Sequence, residues 1–384
     1  MKHLVLVGGG HSHLAVLKSF GDAPAEGVRL TLLSPNRHTF YSGMIPGLIA
    51  GHYRPEDCRI DLRPLAARAG GRFIEDSAVG VDLARREAIT AGGRRLAYDL
   101  LSLDIGSTVG GPEGASGHAL RVRPVEGFLA DWECLREAAR RSEVRRIAVV
   151  GGGAGGIEVL LAMQHGLAGA AVEFALFNDT LILPGHSAGV RRRIGRILGA
   201  RGVTVRAGRR VMAAREGGLE LEGGEGFDAQ ATVWATGAGA PSWIAQSGLA
   251  ADSRGFVAVS GTLQSPLHPE VFAAGDCATI IGDSRPKSGV IAVRQGPILA
   301  GNLRLVLAGA SPEPFRAPAR ALALISCGDR YAVASWASLA LEGPGYGGAR
   351  TASTGASCSG TALAGPAIER ESACQFSRSV LSVE

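Results

Sequence analysis

The sequence predicts an α/β fold built in two dinucleotide-binding halves, each a parallel sheet with an antiparallel β-meander, and two glycine-rich stretches carry that prediction. Residues 4–13 read LVLVGGGHSH. Four apolar residues suit a buried parallel strand. Gly8, Gly9 and Gly10 let the backbone turn tightly and approach a diphosphate, and residues 11–20 have the apolar spacing of a helix whose N-terminus faces that anion. The second stretch, residues 147–158, reads IAVVGGGAGGIE, with Gly151, Gly153 and Gly156 at the full fingerprint spacing after another strand. One such motif alone is weak, because a plain glycine turn between strand and helix reads the same way. A second copy in the same chain raises it to two dinucleotides held together. In the first copy His13 stands where the third small residue is expected.

The remaining elements follow in order. Residues 28–34 (VRLTLLS) read as the second parallel strand, and Ser34 takes the end position where an acid usually holds a ribose diol. Residues 37–53 (RHTFYSGMIPGLIAGHY) are too rich in Gly, Pro and aromatics for a regular element and suit an apolar lid or a surface loop. Residues 62–69 are helical in pattern, 72–76 a short strand, and 78–93 a hairpin closed by a Gly-Gly turn. Residues 96–107 (LAYDLLSLDIGS) form an apolar strand ending on Gly106, and GGPEGASG at 110–117 marks a boundary. A helix over 125–140 leads into the second fingerprint. That half continues with a helix through Met163, a strand at 172–177, a helix at 187–199, strands at 203–211 and 218–222, and a strand at 231–237 that closes on Gly237 as the first half closes on Gly106. At 271–280, VFAAGDCATI, a strand delivers Gly275 and Asp276 to its carboxyl end, where open parallel sheets bind ligands, and a helix-like run follows. An N-cap is the plain role for Asp276. Gln295, Gly296 and Pro297, in PKSGVIAVRQGPILAGNLRLV, are placed at the head of a helix, with backbone N–H groups facing a ligand carbonyl. The expected organisation is 1–117 and 246–310 for the first dinucleotide domain, 118–245 for the second, 311–343 for a partial C-terminal domain and 344–384 for an irregular tail.

Composition narrows the class. Of 384 residues, 46% are apolar, 20% charged and 5% aromatic, as in a soluble α/β protein with room for two or three domains. The net charge of +5 comes from scattered arginines, which read as solvated surface rather than a nucleic-acid footprint; Arg191, Arg192 and Arg193 are the one local cluster, read as a helix surface. No run reaches the roughly 18 apolar residues of a membrane span, and the N-terminus lacks a signal core, so a cytoplasmic protein is expected. The six cysteines make no CxxC, CxxxxC or zinc spacing, which argues against a redox disulfide and against a metal site.

The two glycine fingerprints together with VFAAGDCA resemble the two-dinucleotide flavoproteins, the pyridine nucleotide-disulfide oxidoreductase superfamily, over about residues 1–340. That resemblance implies two Rossmann-like domains, an FAD domain with an NAD(P)H domain inserted in it. It places FAD on Gly8, Gly9, Gly10, His11, Ser12, His13, Ser34, Gly43, Met44, Ala78, Gly106, Ser107, Gly275, Asp276, Gln295 and Gly296, with Asp276 on the ribitol. It places NAD(P)H on Gly151, Gly152, Gly153, Ala154, Gly155, Gly156, Glu158, Asn178 and Gly237, with Glu158 near the nicotinamide ribose. Glu158 and Gln295 are the candidates nearest the chemistry. Small-residue stops at 104–107 and 235–237 link the domains in this reading. The missing cysteine pair and the PKSGVIAVRQGP run look like the branch of type II NADH dehydrogenases and sulfide:quinone oxidoreductases. GGGHSHLAVL, YSGMIPGLIAGHY and LLSLDIGS look like the flavoprotein module found alone or fused to selenide, water dikinase.

The function expected from this is an FAD-dependent NAD(P)H oxidoreductase that passes two electrons to a quinone-like acceptor. The alternatives are a selenium or sulfur acceptor with a selenide, water dikinase-type partner, with Cys277 as the thiol nearest the flavin, or a non-catalytic FAD-binding partner module. Peripheral membrane contact is compatible with the quinone reading. Ser34 replaces the ribose acid of the first domain, and Asn178 with Asp179 stands where that of the second would be, which leaves NADH against NADPH open. From about Pro344 the periodicities stop. The tail reads either as a disordered segment or as the product of a frameshift: were 350–355 encoded AGG ACC GCA TCG ACC GG after a codon ending in A, the neighbouring frame would give a basic run like the family's at this point.

Overall fold

The computed structural model describes residues 1–111, 115–283, 285–316 and 322–344, and its contacts divide the chain into two units. The first comprises Met1–Thr39, Arg59–Thr108 and Ala238–Pro318; the second comprises Phe40–Cys58, Val109–Gly237 and Ala319–Glu384. The lid-like stretch and the C-terminal segment therefore group with the second unit, whereas the sequence division kept the former in the first domain. The irregular tail lies outside the described residues apart from Pro344.

The first unit is organised on a five-stranded sheet in the order Val271–Ala273, Leu100–Leu103, Lys2–Val7, Val28–Ser34, Arg72–Glu75, with every pairing parallel. Central strands of a parallel sheet are covered on both faces, which is why residues 4–7 are apolar without alternation. Leu4, Val5 and Leu6 are fully buried, and burying one such side chain is worth roughly 1.5–3 kcal/mol. The helices His11–Asp22 and Gly289–Leu307 pack together on this sheet. Gly296 sits at their crossing, where a Cβ would come within 2.6 Å of the Ala15 Cβ. Gly289–Leu307 has the length and apolarity of a membrane-crossing helix, but Leu299 and Leu303 are fully buried in the core of this unit.

The second unit repeats the plan. Its sheet runs Leu120–Arg121, Ala231–Trp234, Arg146–Val150, Glu173–Asn178, Thr204–Ala207, again all parallel. The helix Val125–Arg140 has the span read from sequence. Each unit also carries a three-stranded antiparallel meander: Ala78–Asp82, Glu87–Thr90 and Arg95–Ala97 in the first, Val211–Arg215, Gly218–Leu221 and Gly226–Asp228 in the second. The Gly-Gly pair at 92–93 closes the second turn of the first meander, with Gly93 at φ +79°, and not the hairpin that opens it. In the C-terminal segment, Ala323–Ser326, Ala332–Trp336 and Leu339–Gly343 form an antiparallel sheet. Ile325, Cys327 and Val333 from it share a buried cluster with Leu160 and Leu161.

Candidate functional site

In the first unit the strand Lys2–Val7 ends in Gly8 at φ +97°, and the helix begins at His11 with Gly10 as its N-cap and no side-chain cap. Gly8 N donates to Leu33 O at 2.8 Å, which ties the turn to the next strand. Glycine is required here, since a Cβ at Gly8 would lie 2.2 Å from Asp104 O and one at Gly9 2.5 Å from the Leu62 Cδ1. His13 is fully buried, with Nδ1 2.7 Å from Gly8 O and Nε2 2.8 Å from Ser102 Oγ. Because a carbonyl only accepts, Nδ1 carries the proton and Nε2 accepts from the serine. Burial pushes its pKa down to about 4. His13 is therefore a packed neutral brace beneath the turn.

Asp276 lies in a single-turn helix, Gly275–Cys277. The residues that follow it, Ala278–Ile280, form a strand paired with Val257–Val259 and not the helix expected, so an N-cap role for Asp276 falls away. Its Oδ2 accepts from Ser107 Oγ at 3.4 Å. His11 also faces it; burial holds the His11 pKa down and Asp276 opposes that shift. A carboxylate beside a serine hydroxyl and an imidazole suits a polyhydroxyl chain, and an uncapped helix N-terminus behind a glycine turn suits a diphosphate. Gly106, at φ +68°, has open space where a side chain would project. The residues fit FAD on these grounds. Ser34 is 5% exposed at the end of its strand, and Ala78 begins the meander. Gly43 and Met44 stand in the short turn Ser42–Met44 of the second unit.

Two expectations for the helix Gly289–Leu307 are corrected. It starts at Gly289 with Ser288 as cap, so Gln295 and Gly296 lie in its second and third turns and not at its head. Gln295 is buried, and its Oε1 accepts from Gly275 N at 2.8 Å. It braces the turn that carries Asp276. Cys277 is fully buried and hydrogen-bonds Ala274 O, and burial pushes its thiol up to about 12. It has neither the thiolate nor the exposure that carrying a chalcogen requires.

Sequence reasoning missed Asp104. Its carboxyl is 2% exposed, accepts from His13 N at 2.9 Å and is pushed up to about 7 by burial. The available signal was an acid at the end of the apolar strand 100–103, where a small residue is expected. Lys287, which linear spacing did not single out either, donates to Thr279 Oγ1 at 2.7 Å and sits 4.3 Å from the centre of the Phe256 ring.

In the second unit Gly151 has φ +124°, and Gly153 caps the helix Ala154–Gly166 without a side-chain bond. A Cβ at Gly156 would fall 2.0 Å from Gly151 O, so this third glycine allows close helix–strand packing. Gly153 and Gly155 face open space, which leaves the helix N-terminus accessible to a diphosphate. Asn178 Oδ1 accepts from Gly152 N at 2.8 Å, and its Nδ2 donates to Leu181 O at 3.1 Å. The amide in the ribose position thus holds the glycine turn. Glu158 is the fifth residue of its helix, and its Oε1 accepts from Ser326 N at 2.8 Å. Gly237 O accepts from Gly110 N at 2.5 Å where the chain leaves this unit. In the arginine cluster, Arg191 bonds His186 O and Arg193 lies 3.8 Å from Glu342, as on a helix surface. Among the described residues no cluster of His, Cys, Asp or Glu has metal-binding geometry.

Fold and site together define a flavoprotein oxidoreductase with two dinucleotide turns. The fold is similar to that of the sulfide:quinone oxidoreductase from the hyperthermophilic bacterium Aquifex aeolicus, with a TM-score of 0.76 at 19% identity over 92% of this chain and 90% of that one. It is also similar to NDH2 from Plasmodium falciparum in complex with NADH, with a TM-score of 0.75 at 14% identity over 89% and 91%. In sequence it is 24% identical to the type II NADH:quinone oxidoreductase of Staphylococcus epidermidis over 343 residues, 82% of this chain and 85% of that protein. The chain belongs to the pyridine nucleotide-disulphide oxidoreductase family, which residues 2–296 match. It is an oxidoreductase that works with FAD and NAD(P)H.

Proposed function

We propose that this protein oxidises NAD(P)H and delivers two electrons, through FAD, to a quinone. When bound, FAD supplies the redox chemistry, accepting a hydride equivalent from the pyridine nucleotide and passing electrons on. The protein orients. The N-terminus of His11–Asp22 receives the FAD diphosphate, and Asp276 with Ser107 accepts and donates hydrogen bonds to the ribitol hydroxyls. Gln295 fixes Gly275 so that Asp276 stays in register. In the second unit the open N-terminus of Ala154–Gly166 receives the NAD(P)H diphosphate, with Asn178 holding the turn.

The observation that carries this reading is the pair of diphosphate turns in a chain whose described cysteines, Cys58, Cys134, Cys277 and Cys327, form no disulfide. With no described disulfide to relay them, electrons leave the flavin for a diffusible acceptor. The names of the staphylococcal relatives favour a quinone among such acceptors. Turnover of NADH or NADPH with a water-soluble quinone analogue tests it: steady oxidation dependent on the quinone is expected. Failure with quinones together with turnover on polysulfide or selenite would favour the chalcogen acceptor and a selenide, water dikinase-type partner. A bound flavin that no donor reduces would favour the non-catalytic module. An apolar quinone is met at a membrane surface, so we also expect the protein to sediment with quinone-bearing liposomes.

A further inference from the structure

The N-terminus of the first helix already holds a carboxyl of its own chain. Asp104 accepts from His13 N at 2.9 Å, and the backbone N–H of Ser12 points at the same carboxyl. Two glycines make room for it: a Cβ at Gly10 would lie 2.3 Å from Asp104 Oδ1, and one at Gly275 2.4 Å from the same atom. The carboxyl therefore fills the space between the diphosphate turn and the turn of Asp276.

Among the described residues its neighbours supply no neutralising cation. The first helix brings His11, which faces Asp276, and His13, whose ring is spent on Gly8 and Ser102. The Gly275–Cys277 turn brings Asp276, a second acid, and the Cys277 thiol. The helix Gly289–Leu307 brings the uncharged Gln295, and the Lys287 ammonium ahead of it is committed to Ala278 O and Thr279 Oγ1. A diphosphate arriving at this helix terminus adds more negative charge to the same pocket. A buried carboxylate without a counter-ion, beside an acid and a phosphate, is strongly disfavoured. The neutral acid has instead an O–H to give and keeps an oxygen to accept the helix N–H groups.

We propose that Asp104 is a positioning residue for the FAD diphosphate that works as the neutral acid, so that FAD binding is coupled to the uptake of a proton by its carboxyl. The proton comes from solvent and stays on Asp104 Oδ while FAD is bound; as a carboxylate, Asp104 competes with the phosphate for the N–H groups of Ser12 and His13. The proposal rests on the reading that this helix terminus holds the FAD diphosphate. Burial already favours the proton without the cofactor, since the pKa of Asp104 is raised to about 7.

The test is FAD binding to the full-length apoprotein, with the flavin stripped, by fluorescence quenching and calorimetry from pH 5.5 to 8.5. The expected result is a Kd that weakens above about pH 7 with a slope approaching tenfold per pH unit. At pH 8, calorimetry in buffers of different ionisation heat should show net uptake approaching one proton per FAD. Asp104→Asn keeps an N–H donor and an oxygen acceptor, so it should bind FAD with that slope and uptake removed. Titration of His11 acts below its ordinary 6.5 and is left intact in this variant. A flat Kd without proton uptake in the wild-type protein overturns the proposal, as does an unchanged slope in Asp104→Asn. If the variant does not fold, the wild-type proton count alone decides. Failure of FAD to bind at any pH would overturn instead the assignment of the first turn.

Discussion

His13 and Gly156 occupy the same position in the two glycine turns and solve the same packing problem by opposite means. Gly156 removes its side chain so that helix and strand approach. His13 fills the gap and bonds to both walls, donating from Nδ1 to Gly8 O and accepting at Nε2 from Ser102 Oγ. His13→Ala strands both partners in a buried site, which costs about 1–3 kcal/mol, and should lower the denaturant midpoint by a corresponding amount. The buried pair His13 and Asp104 also shapes stability against pH. The folded pKa of His13 lies at about 4, below its ordinary 6.5, so its contribution is present above 6.5 and is lost as pH falls to about 4. That of Asp104 lies at about 7, above its ordinary 3.8, so its contribution is present below 3.8 and is lost as pH rises to about 7. The two windows overlap with opposite sign. Asp104→Asn removes the second of them, so the stability of the apoprotein should rise with pH from 4 to 6.5 more steeply than in the flatter wild-type profile; superimposable profiles would contradict the burial argument. Thiol labelling offers a third check at this scale. Cys134 is exposed whereas Cys58, Cys277 and Cys327 are fully buried, so peptide mapping after native alkylation should find Cys134 modified and the other three only after unfolding.

Between elements, the two glycines of the second turn separate function from folding. Gly153→Val projects into open space and closes the approach to the helix N-terminus. It should fold, keep FAD and lose reduction by NAD(P)H, read as a flavin spectrum that no longer bleaches. Gly156→Val drives a side chain against Gly151 O and should lower the unfolding midpoint of the whole protein. The same elements show what could be read from the chain. Strand, glycine turn and helix were legible because each carries its own periodicity and punctuation, and so was Val125–Arg140 with its continuous apolar stripe. The start of Gly289–Leu307 was not, because Gly296 and Pro297 read as breakers while the true cap, Ser288, lies ahead of them. Pro297 removes one donor well inside the helix, a loss that burial of Leu299 and Leu303 outweighs. Residues 278–280 were ambiguous because Ala favours helix whereas the β-branched Thr and Ile favour strand; their partner strand Val257–Val259 decides. The C-terminal sheet was equally illegible, since its core face exists only against Leu160 and Leu161.

Across the whole chain, one plan recurs in both units: each has a five-stranded parallel sheet, a three-stranded meander and a glycine turn at the carboxyl end of the central strand of that sheet. The candidate site was legible to the extent that it is built on those turns and on Asp276. What stayed hidden were partnerships between distant segments, Gln295 with Gly275, Glu158 with Ser326 and Asp104 with His13, for which linear spacing gives no signal. Both turns are expected to work together, one for FAD and one for its reductant. The most direct test is the visible absorption spectrum of the purified protein under anaerobic conditions, before and after addition of NADH and, separately, NADPH. A bound flavin band that bleaches with at least one nucleotide is the predicted result. A flavin that stays oxidised with both, or a protein that holds no flavin, would contradict it.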